Sequence, residues 1–188
     1  MIEVLGLEEW YRNLSEEERQ KLHEHSTAFG TGGEYNMLEQ PVKTTTQTEQ
    51  GYLKGVGSTA LANEDYAFAE KILLKALEAD DDNPSDRHFV YNSLIELYYK
   101  QRDDREDAIE KCIHYCNEDI ERIEEFLSEW DGEPPRIPAF KRLAIIYENQ
   151  GEYGAALDIC DEAIERGLDD GTKGGFEGRK ERIKTKID

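Results

Sequence analysis

The stretch Phe140-x-x-Leu143-Ala144-x-x-Tyr147, followed after eight residues by Ala156-x-x-x-Cys160-x-x-Ala163, leaves few folds open. Its three- and four-residue steps are the helical period, and the gap allows only a tight turn between two helices. A small residue late in the first helix and another early in the second let the backbones approach closely, while larger residues fill the seam. The pattern recurs as Leu53-x-x-Val56-Gly57-x-x-Ala60, then eight residues, then Ala69-x-x-x-Leu73-x-x-Ala76. A third copy runs Tyr91-x-x-Leu94-Ile95-x-x-Tyr98, then nine residues, then Ala108-x-x-x-Cys112-x-x-Tyr115. One such pair cannot bury both of its faces, so pairs must stack side by side.

Around these copies the whole chain reads as all-α. Helices are expected at about 47–62, 65–79, 87–101, 105–130, 138–150, 153–166 and 175–187, joined mostly by short polar or glycine turns. Thr46-x-x-Glu49 reads as a capping box opening the first of them. Residues 1–28 form a distinct helical extension: Leu7–Leu14 buries Leu7, Trp10, Tyr11 and Leu14, and Ser15-Glu-Glu-Glu18 caps a second, mostly charged helix over about 16–27. The glycine- and threonine-rich stretch 29–46 has no period and reads as a mobile connector, able to fold onto a groove through Tyr35, Met37 and Leu38. The repeat domain is then 47–188, closed by the helix 175–187.

The repeat resembles the tetratricopeptide repeat, a helix–turn–helix unit of about 34 residues. Residues 140–163 meet its signature well, 53–76 fairly well and 91–115 loosely. The alanines Ala69, Ala108 and Ala156 stand 39 and 48 residues apart, longer than the family period, so the superhelix is irregular. The resemblance implies a right-handed α-α superhelix of about three helix pairs, with a non-catalytic groove that holds an extended peptide or a partner helix. By the same resemblance Lys54, Ser58, Asn92, Glu96, Tyr99, Lys141, Arg142 and Ile145 line that groove. Some family members clamp a C-terminal carboxylate with Lys and Asn; Lys54, Asn92 and Arg142 sit near such places, with Ser58 in place of an Asn and Pro138 in place of a Lys.

Charge and motifs narrow the alternatives. A formal charge of −20 repels polyanions, which argues against nucleic-acid binding by the general surface. Residues 173–188 run the other way, with six basic and three acidic residues, and make Arg179, Lys180, Arg182 and Lys184 a secondary docking point for an acidic partner or nucleic acid. The glycine-rich 167–179 stretch suggests a phosphate loop, but a helix precedes it and the order Gly-Thr-Lys-Gly-Gly is not Gly-x4-Gly-Lys-Ser/Thr. It reads as a joint: Gly167 ends one helix in a left-handed cap, Leu168 packs back, Asp170-Gly171 turns, and Gly174-Gly175 starts the next helix. There Phe176, Ile183 and Ile187 make the apolar stripe, and Gly178 marks a close helix contact.

Cys112 and Cys116 are one helical turn apart, yet Cys112 and Cys160 occupy seam positions, so all read as core rather than metal ligands. His23 and His25 cannot share a helical face, and the acidic 78–86 turn lacks the glycine and glutamate of a calcium loop. No nucleophile elbow, zinc-protease helix, cofactor motif or membrane-length apolar run is present. The opening residues carry no basic or apolar leader, and three cysteines suit no disulfide framework, so a cytoplasmic setting is expected.

Overall fold

The computed structural model describes residues 1–26, 38, 43–80 and 83–187. Among them the chain is helical with no strand, and its contacts divide it into two compact units, Met1–Ser93 and Leu94–Asp188. The expected connector over 29–46 lies outside the described residues except for Leu38, which is buried, and 43–46.

The first unit holds α1 (Glu8–Asn13), α2 (Glu16–Ser26), α3 (Glu49–Ala62), α4 (Tyr66–Leu77) and the start of α5 (Pro84–Lys100). α3 and α4 form its central pair, and α2 packs on α3. Leu53, Val56 and Ala60 of α3 and Ala69, Ile72, Leu73 and Ala76 of α4 are wholly buried. The seam is tight at Gly57: a Cβ there would stand 2.6 Å from Leu73 Cγ, which is why no larger residue fits. The Ser15 box forms as expected, with Ser15 Oγ accepting from the Glu18 amide at 3.1 Å and Glu18 Oε2 accepting from the Ser15 amide at 2.8 Å. Ser26 Oγ donates to Leu22 O at 2.6 Å, so the Tyr52 hydroxyl donates to Ser26 Oγ at 2.8 Å and ties α2 to α3. Burial pushes the Tyr52 phenol up to about 12, which keeps it a neutral donor.

Two starts differ from expectation. α3 is capped by Thr48, whose Oγ1 accepts from the Gly51 amide at 2.9 Å, and not by Thr46. Glu49, the expected partner of Thr46, turns to Lys75 of α4, 3.6 Å away. α5 begins at Pro84 rather than 87, because Asn83 Oδ1 accepts from the Asp86 amide at 2.9 Å and Pro84 supplies a first-turn residue with no amide to satisfy.

The second unit holds the rest of α5, then α6 (Ala108–Glu121), α7 (Ile123–Ser128), α8 (Pro138–Gln150), α9 (Tyr153–Glu165) and α10 (Gly175–Ile187). α8 packs on α9 and on α6, and α9 on α10. The single helix expected over 105–130 is instead two: it starts at Ala108 and breaks at Arg122, whose φ of −105° and ψ of 1° leave the helical region. Ahead of it, Arg105 grips the Asp107 carboxylate at 2.5 Å and lies 5.2 Å over the Tyr98 ring, holding 105–107 outside the helix. Gly151 and Gly167 end α8 and α9 in the left-handed region, at φ of 78° and 68°. Ile187 does not extend the Phe176–Ile183 stripe, since it is exposed while the other two are buried.

Candidate partner-binding faces

In the first unit, the outer turns of α3 and the start of α5 bring Lys54, Ser58, Asp86, Phe89, Asn92 and Ser93 together. Lys54 Nζ binds Asp86 Oδ1 at 2.5 Å and lies 5.6 Å from the centroid of Phe89, an exposed ring. Sequence reasoning missed Asp86; the signal was Asn83-Pro84-Ser85-Asp86, a helix start that fixes this carboxylate in the first turn. Lys54 is therefore neutralised within its own unit, and a partner carboxylate would have to displace Asp86. Ser93 Oγ donates to Phe89 O at 3.0 Å, so Ser58 is the donor in the 2.9 Å Ser58–Ser93 bond.

Asn92 is the unusual group on this face. Its Nδ2 lies 2.9 Å from Nε2 of the buried His88, while its Oδ1 is enclosed and has no partner among the described residues. Rotating the amide by half a turn would let Oδ1 accept from His88 but would leave Nδ2 unpaired instead. Either way, one polar atom stays enclosed and unsatisfied, at a cost of roughly 1–3 kcal/mol.

In the second unit, Tyr99 and Arg142, both expected to line a groove, lie against each other: the guanidinium sits 3.5 Å from the ring centroid. Arg102 also lies over this ring at 4.4 Å, so the phenol carries two cations. Glu96 pairs with Lys100 at 3.1 Å on the exposed side. Lys141 goes elsewhere: its Nζ donates to Asp170 O at 2.9 Å, supporting the turn before α10. It fixes that turn and presents no free cation.

The basic C-terminal helix is similarly committed. Arg179 is interior, 7% exposed, and binds Asp170 through Nε at 2.9 Å and Nη2 at 2.8 Å, with Glu148 at 3.6 Å. Lys180 pairs with Asp161, Lys184 with Glu181 at 2.8 Å and Lys186 with Glu148 at 2.7 Å. Arg182 donates to Lys173 O at 3.3 Å and Thr172 Oγ1 at 3.1 Å. The expected docking point is thus largely spent on internal bonds, and Arg179 in particular belongs to the core.

The 167–179 stretch is a joint. Leu168 N donates to Ala163 O at 3.0 Å behind Gly167. Asp169 Oδ1 accepts from the Gly171 amide at 2.7 Å, and Asp170 Oδ1 from the Thr172 amide at 2.8 Å and hydroxyl at 2.6 Å. The chain's own carboxylates occupy the amides a phosphate would need. Burial by itself would raise Asp170, but the Thr172 hydroxyl and amide and Arg179 outweigh it and hold this carboxyl below its ordinary range. The close approach at Gly178 is to this joint: a Cβ would stand 2.6 Å from Lys173 O.

Cys112, Cys116 and Cys160 are all fully buried free thiols, and Cys112 Sγ reaches Ile95 O at 3.5 Å. Burial pushes Cys160 up to about 11 and Cys116 well above its usual value. Among the described residues no three His, Cys, Asp or Glu side chains converge as metal ligands, and no helix is long and apolar enough to cross a membrane.

No family model matches the chain. A protein of Aquifex aeolicus (strain VF5), described as an uncharacterized protein, is 29% identical over 205 aligned positions covering 100% of this chain and 93% of the relative. No solved structure matches.

Proposed function

We propose that this chain is a non-catalytic, cytoplasmic protein- or peptide-binding scaffold, built from tetratricopeptide-like helix pairs with the superhelical stacking that this resemblance implies. The observation that carries the reading is the Asn92 amide. An enclosed polar atom without a partner calls for an explanation, and a bound chain supplies one. A peptide backbone offers both an N–H and a C=O, so it satisfies whichever amide atom is left over once binding turns that atom outward. The exposed ring of Phe89 beside it gives a side chain of the same peptide an apolar surface. Solvent-facing helix turns need neither feature.

The alternative in which α10 docks nucleic acid or an acidic partner gains no support from its paired cations. The test is selection of binders from a displayed random-peptide library, followed by affinity measurement on wild type and Asn92→Ala. Losing the amide should weaken a selected peptide by about tenfold, the worth of a hydrogen bond to an otherwise unpaired group. Circular dichroism checks that both proteins fold alike. No enriched peptide, or equal affinity for both proteins, would overturn the reading.

A further inference from the structure

The second unit exposes a large aromatic where a folded chain gains nothing from doing so. Trp130, just past α7, is 48% exposed. It is not loose: its indole Nε1–H donates to Glu133 O at 3.0 Å, and the buried Phe126 ring stands 6.1 Å away at 44°. One edge is pinned and the ring rests on a core residue, so its orientation is set before anything binds.

Its setting is acidic. Glu129 and Asp131 flank it in the chain, Glu125 lies on the preceding turn, and Glu133 supplies the carbonyl that holds the indole; all four are exposed. Among the described residues Glu125, Asp131 and Glu133 make no ion pair, in contrast to Glu124, which is taken by Arg166 at 2.8 Å. Indole is the strongest aromatic acceptor for a cation, and guanidinium both stacks on such rings and binds carboxylates through its fork of N–H donors.

We propose that Trp130 is a docking point for an arginine presented by a basic peptide segment of a partner protein, with Asp131, Glu133 and Glu125 balancing the charge. The site shares no residue with the Asn92 face and stands whether or not that reading holds. The chain has two tryptophans, so in a Trp10→Phe background Trp130 is the fluorescence reporter. Hexa-arginine at low ionic strength should shift Trp130 emission saturably, and added salt should weaken binding. By titration calorimetry on the full chain, Trp130→Ala should weaken hexa-arginine by about tenfold. Asp131→Asn with Glu133→Gln should weaken it comparably and flatten the salt dependence. Hexa-lysine should bind several-fold less tightly than hexa-arginine. Absence of binding, hexa-arginine binding Trp130→Ala within twofold of wild type, or equal affinity for the two peptides would overturn the proposal. The second of these would assign binding to net charge alone.

Discussion

At the end of α3 the chain asks a glutamate to do what glycine does after α8 and α9. Glu64 has a φ of 62°, close to the 78° of Gly151 and the 68° of Gly167. The hydrogen bonds match as well. Asp65 N donates to Ala60 O at 3.0 Å, as Glu152 N does to Tyr147 O at 2.8 Å and Leu168 N to Ala163 O at 3.0 Å. All three ends are the same glycine-type cap, and one of them lacks the glycine.

The left-handed region costs an L-residue roughly 1–2 kcal/mol, and glycine returns about 0.5–1 kcal/mol of this through its freer unfolded chain. Glu64→Gly should therefore stabilise the protein by about 0.5–1 kcal/mol, or about 1–4 °C in Tm for a chain of this size. Gly151→Ala and Gly167→Ala should destabilise by a similar amount. A Cβ at either position meets nothing within 4 Å, so the backbone effect acts without a clash. Guanidinium denaturation followed by far-UV circular dichroism reads all three variants. If Glu64→Gly is neutral or destabilising while both alanine variants lose stability, the assignment of strain to Glu64 is wrong.

Two more predictions concern the interior of the second unit. Asp170→Asn keeps the Thr172 hydrogen bonds but strips buried Arg179 of its closest partner, and should cost about 3–5 kcal/mol by denaturant midpoint. Because Asp170 is held below its ordinary value of 3.8, its contribution is full above that pH and fades below it. The wild type should lose more stability than Asp170→Asn between about pH 7 and about pH 3, and equal losses would refute the linkage. The three thiols should be silent to Ellman's reagent at about pH 8 until denaturant is added, when all three should react. Immediate stoichiometric reaction of any one would contradict their burial.

The α3–α4 and α8–α9 pairings were legible because the seam positions are chemically narrow: Gly57, Ala69, Ala144 and Ala156 are small where backbones meet, and the large residues between them are buried. The left-handed end at Gly167 was legible for the same reason, since glycine is the residue that conformation favours. Glu64 was not, because nothing in its chemistry announces a positive φ. The break at Arg122 was equally silent. No proline or glycine marks it, and Cys112, Cys116, Ile123 and Phe126 keep helical spacing on both sides. At the candidate sites, residue type told where a cation stood but not whether it was free. Lys54, Lys141 and Arg179 each had the right charge in a plausible place. Their partners Asp86 and Asp170 come from turns whose course only the folded chain fixes.

The pairing along α10 also bears on how fast partners arrive. A cation bonded to a nearby carboxylate contributes a short-range dipole, and its field fades within a Debye length. Arg179, Lys180, Lys184 and Lys186 are all bound in this way, while Arg182 bonds a carbonyl and a hydroxyl and keeps its charge, so the basic C-terminal segment throws only a weak positive lobe into solution. What an approaching molecule meets from afar is the surplus of 43 acidic over 23 basic residues. Basic partners are steered inward and their encounter rates fall as salt is added, while polyanions are slowed before any specific contact forms.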